Sequence, residues 1–79
     1  MTRNDLIILD PAIAAGKPVL RGTRLTVEFI VGLLGQGWTD EQIFAQYPGL
    51  TRDHILACLN YAGEVLREER VFALPSASD

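Results

Sequence analysis

Seventy-nine residues make one domain. A chain this short buries only about 60–65% of the surface it exposes when unfolded, so its monomer is marginal and an oligomer or a partner is expected. Apolar residues at 48% against 22% charged exclude global disorder, and apolar runs no longer than Phe29 to Leu34 fall far short of the about 20 residues of a membrane span, so a cytoplasmic protein is expected. The net charge of −3 is uneven: Arg3, Lys17, Arg21 and Arg24 outweigh Asp5 and Asp10, whereas from Val27 onward acids outnumber arginines, which leaves the beginning of the chain positive.

In chain order, Leu6-Ile7-Ile8-Leu9 is a short apolar, partly β-branched run ended by Asp10-Pro11, and it reads as a buried strand. Gly16-Lys17-Pro18 breaks the chain again. Val19-Leu20 then forms a second short strand leading into Arg21-Gly22-Thr23-Arg24, whose glycine permits a backbone angle that other residues resist. Two short strands are marginal in water, so they pack on the helices or pair with those of a second subunit, and Leu6, Ile7, Ile8 and Leu9 are the expected dimer residues.

From Thr26 the period changes. Val27, Ile30, Val31 and Leu34 recur at helical spacing, Phe29 and Leu33 widen the stripe, and Gly35-Gln36-Gly37 stops the helix. Thr39 is a good N-cap with Gln42 three residues on, Asp40 and Glu41 suit the positive end of the helix dipole, and Trp38 can staple against Ile43 or Phe44. The second helix therefore spans about Asp40 to Gln46. After a tight turn at Tyr47-Pro48-Gly49-Leu50 and a cap at Thr51, Ile55, Leu59, Ala62 and Leu66 line one face of a third helix beside Cys58 and Val65. Asp53, Ala57, Asn60 and Glu64 fall opposite. The lone Cys58 cannot close an internal disulfide and reads as a small core residue. From Arg70 the periodicity is lost, which divides the chain into a strand-plus-helix-turn-helix domain over residues 1–68 and a C-terminal tail over 69–79.

Enzyme chemistry finds little to work with. One His, one Cys and no close-spaced His pair make neither a hydrolytic triad nor a metal site, and Gly16-Lys17 lacks the glycine and hydroxyl of a phosphate loop, having Pro11 and Pro18 there instead. His54 reads as a partly exposed helix residue. No catalytic residue, metal or cofactor is expected. Binding is the better-supplied class. A helix-turn-helix reads DNA with the start of its second helix, where this chain offers Arg52, His54 and Asn60, although Asp53 and Glu64 on the same face repel phosphates. Lys17, Arg21 and Arg24 would be doubled in a two-fold dimer and could neutralise several phosphates; the alternative is ordinary solubilising charge. In the tail, Phe72 and Leu74 either fold back on the first helix or insert into another protein.

Asp10-Pro11, the run Gly16-Lys17-Pro18-Val19-Leu20-Arg21-Gly22-Thr23-Arg24-Leu25, then Gly37-Trp38-Thr39-Asp40-Glu41-Gln42-Ile43, Tyr47-Pro48 and Leu50-Thr51 together resemble the small bacterial family labelled domain of unknown function 433. The likeness covers about residues 5 to 65. It implies a homeodomain-like helix-turn-helix and a role like that of VapB-type antitoxins of type II toxin–antitoxin pairs; with the short N-terminal β-hairpin or strand pair and the dimer read from the residues, the expected fold is mainly α and dimeric. The expected partners are a PIN-like ribonuclease toxin and the promoter DNA of the operon. The tail from Arg70 through Val71 and Phe72 to Leu74 would then cover the toxin's acidic site; that Arg67 or Arg70 pairs its carboxylates is an expectation from the residues and not a motif of the family. The alternatives are a DNA-binding regulator without a toxin and a dimeric scaffold. The family commonly has a second glycine where this chain has Ala15, and often proline at Thr26.

Overall fold

The computed structural model describes residues 3–69, in which three helices enclose a core against a two-stranded antiparallel sheet. A 3₁₀ turn over Arg3–Leu6 leads into β1, Ile7–Leu9, and a second over Ala14–Gly16 precedes β2, Pro18–Leu20. The register pairs Ile7 with Leu20, Ile8 with Val19 and Leu9 with Pro18. Leu6 was expected in the strand but closes the 3₁₀ turn, while its carbonyl still accepts the Arg21 N–H at 2.7 Å. That bond makes Leu6 and Arg21 a hydrogen-bonded pair, so by alternation Leu9 and Pro18 are a non-hydrogen-bonded one, where the missing N–H of proline costs the ladder nothing. After β2 the chain turns back at Gly22 (φ 80°), with Thr23 Oγ1 donating to Leu20 O and accepting from Leu25 N. Leu20 N then donates to Leu25 O, and Val19 bridges Thr26. Both edges of β2 are thereby occupied.

The helices are α1 (Val27–Gly35), α2 (Asp40–Gln46) and α3 (Arg52–Glu69). Thr26 caps α1 by accepting the Phe29 N–H at 3.0 Å. The far end closes as a Schellman motif: Trp38 N donates to Leu33 O, Gly37 N donates to Leu34 O, and Gly37 takes φ 97°. Thr39 and Gln42 form the expected capping box of α2, with bonds of 2.9 and 3.1 Å. Leu20, Val27, Ile30, Leu33, Ile43, Leu50, Ile55 and Cys58 make the core, and Ile7, Trp38 and Tyr61 pack at its margin.

Two expectations of burial need correction. In α1 the buried row is Val27, Ile30 and Leu33, whereas Leu34 is half-buried and Phe29 exposed. In α3 the core face is Ile55, Ala57 and Cys58; Ala57, expected to face solvent, is 2% exposed, whereas Leu59 and Leu66, expected inside, are 46% and 62% exposed. The packed face is thus turned by roughly 60° toward Cys58. Small side chains at 57 and 58 let a neighbouring element approach closely, and periodicity alone ranks Leu above Ala without seeing that fit.

Candidate functional site

The site begins with the joint between α2 and α3. Pro48 and Gly49 sit at the centre of a turn closed by the Leu50 N–H donating to Tyr47 O at 3.0 Å, and buried Leu50 anchors it to the core. Thr51 O accepts the N–H groups of His54 and Ile55, which starts α3. His54 then reaches back: its Nδ1 accepts the Thr51 N–H at 3.0 Å and lies 3.0 Å from Thr51 Oγ1. This is the reciprocal half of a capping box, built with imidazole in the place usually held by Glu or Gln. The expected DNA-reading His54 is therefore committed to its own helix end.

The other expected DNA contacts are spread out and mostly occupied. Arg52 Nη1 donates to Asp40 Oδ2 at 2.8 Å, tying the first turn of α3 to that of α2, although the arginine side chain remains 70% exposed. Lys17 Nζ is 3.1 Å from Glu28 Oε1, both well exposed, and Arg21 Nε donates to the Asp5 carbonyl at 2.7 Å. Arg24 and Asn60 are exposed. Lys17 and Arg21 stand at opposite ends of β2, about 13 Å apart along an extended strand, so the basic set is a pair of separated points rather than one patch. The Lys17–Glu28 and Arg52–Asp40 ion pairs lie largely in solvent and are weak, about 0.2–1 kcal/mol each, so a phosphate could exchange for either carboxylate, whereas Arg21 Nε is held by a backbone carbonyl.

The expected toxin-facing residues divide at the end of α3. Arg67 is exposed on its last turns, whereas Arg70, Val71, Phe72 and Leu74 lie outside the described residues. Sequence reasoning missed that Leu59 and Leu66 are available on the same helix. They are seven residues apart, two turns along one stripe, with Ala62 between them. A second apolar feature on the surface is Phe29, 41% exposed and edge-to-face with Tyr47 at 5.9 Å between centroids. It borders an open recess of about 370 Å³ over Gly32 and Gln36 of α1. Among the described residues no helix is long and apolar enough to cross a membrane.

Comparison with known proteins gives one finding of kinship. Residues 7–62 match the family model described as "Protein of unknown function (DUF433)", a span running from β1 into the middle of α3. No curated protein and no solved structure matches the chain.

Proposed function

This chain belongs to the DUF433 family, and from that premise we propose that it is a partner-binding module of the antitoxin kind, which inhibits a small PIN-like ribonuclease and binds the promoter DNA of its own operon. The observation that carries the reading is the outward face of α3 from Leu59 onward. A helix of 18 residues is about 27 Å long, its N-terminal half is anchored by Ile55 and Cys58, and beyond them Leu59 and Leu66 offer apolar surface to solvent with Arg67 alongside. An amphipathic helix of this kind suits a groove on another protein, its leucines filling pockets and its arginine meeting carboxylates. Because Arg67 directly precedes the segment that holds Arg70, Val71, Phe72 and Leu74, one continuous stretch from Leu59 to Leu74 would supply the contact.

The test is co-expression with the product of the adjacent reading frame. A complex that silences its ribonuclease activity is expected, with inhibition lost on removal of residues 70–79 and reduced at least tenfold in affinity by Leu66→Glu, which buries a charge in an apolar contact. A neighbour without ribonuclease activity, or undiminished inhibition by the truncated chain, would overturn the reading.

The DNA arm rests on the α2–turn–α3 unit and on exposed Arg24 and Asn60. It also supports the second reading, a regulator without a toxin. A gel-shift titration on the upstream region separates the two: affinity falling steeply with salt but no ribonuclease partner favours the regulator.

A further inference from the structure

The sheet leaves one edge open. β2 is lined on one side by β1 and on the other by Leu25–Thr26, whereas β1 has no neighbour on its far side among the described residues. The register decides what that edge presents. Since Leu6 and Arg21 are hydrogen-bonded partners, Ile8 directs its N–H and C=O toward Val19, and the backbone groups of Ile7 and Leu9 fall on the open side. The side chains on that edge are apolar on both faces, with Leu9 63% exposed next to a strand whose Ile7 already touches the core.

We propose that β1 pairs antiparallel with β1 of a second copy about a two-fold axis through Ile8, making a four-stranded sheet continuous across the dimer. The match is self-complementary. With Ile8 opposite Ile8 of the second copy, Ile7 faces Leu9 at both ends, and each such pair exchanges two N–H to O=C bonds, so all four outward backbone groups of each copy are satisfied at once. Leu9 of one copy then lies against Ile7 of the other, which joins the two cores and covers the most exposed large apolar side chain described. A two-stranded sheet is marginal alone, and four strands remove that weakness as well as one exposed edge on each copy. Any strand could fill these backbone bonds, but a second copy also brings its own Ile7 onto each Leu9, so the exposed leucines of both chains are covered by one symmetric contact. The proposal stands independently of the ribonuclease reading, since its test uses neither partner nor DNA.

In a Cys58→Ala background, single cysteines at Ile8 and at Leu9 are oxidised at equal concentration in the full-length chain. Across a non-hydrogen-bonded pair the two Cα atoms are about 4.5 Å apart, within disulfide reach, whereas Leu9 and its own counterpart are beyond about 7 Å. Ile8→Cys must therefore cross-link more readily than Leu9→Cys, although Ile8 is the less exposed position and random collision favours the reverse. Leu9→Pro removes an outward donor while sparing the bonds to β2, so it must weaken the dimer at least about tenfold by sedimentation with helical circular dichroism retained. Cross-linking equal at both positions, or a chain monomeric at all concentrations, overturns the proposal. A dimer untouched by Leu9→Pro in a folded chain does the same.

Discussion

At the scale of single residues, the most telling position is Ala15. It adopts φ 58° beside Ala14 at 51° and Gly16 at 85°, in the left-handed region where a Cβ costs roughly 1–2 kcal/mol. Glycine carries no such cost there but loses more entropy on folding. Ala15→Gly should therefore raise stability by about 0.5–1 kcal/mol, seen as a higher urea midpoint at unchanged slope. Cys58 argues in the other direction, from pH. Burial pushes its thiol up from 9.0 to about 11, so the folded chain holds that proton more tightly than the unfolded one. Its contribution to stability is complete below pH 9 and drains away as pH rises toward 11, because the unfolded state can ionise where the folded state resists. Denaturant titrations at pH 8 and pH 11 should show this loss, and Cys58→Ala should flatten it. In the native state at neutral pH the same thiol should react slowly with alkylating reagents.

At the scale of elements, helix ends are where this chain concentrates its polar chemistry. Thr26, Thr39 and Thr51 each open a helix; Thr39 with Gln42 closes a full capping box, and at Thr51 the His54 ring supplies the reciprocal half of one. Removing the imidazole leaves the Thr51 N–H without its acceptor, so His54→Ala should cost about 1 kcal/mol in thermal or chemical denaturation, and His54→Gln should restore most of it. These ends also explain how much of the fold was legible beforehand. Thr39 with Gln42, Pro48-Gly49 and the glycine at 37 are local signals whose hydrogen bonds close within a few residues, and the bounds of α2 and the turn after it follow from them directly. What was not legible depends on distant neighbours. The turned face of α3, with Ala57 inside and Leu59 outside, is decided by how closely α1 and the first turn of the chain approach, information that no periodicity contains. The candidate site suffered for the same reason: Arg52, Lys17 and Arg21 look free as letters, yet Asp40, Glu28 and the Asp5 carbonyl, far away in sequence, occupy them.

At the scale of the whole molecule, a small body with eight clustered core side chains leaves, among the described residues, exposed large apolar side chains at the β1 edge, on the outward face of α3 and at Phe29 of α1. On the two proposals above, the β1 edge would take a second copy and the α3 face a different protein, so assembly and inhibition should be separable by mutation. What keeps the two places in fixed relation is the connection at Trp38. Its amide completes the termination of α1 while the very next residue initiates α2, and its ring packs on the core, so that no bond between the helices is left to turn freely. The connection behaves as a welded corner and not as a hinge. One glycine inserted between Gly37 and Trp38 should therefore cost at least about 2 kcal/mol, two caps at about 1 each, by urea midpoint, whereas the same insertion at exposed Pro11-Ala12 should cost less, since it disturbs only the solvent-facing bonds from Ala12 N and Ile13 N to Asp10. Evolution of this scaffold is then free to lengthen its outer loops but is held to a constant number of residues at this corner.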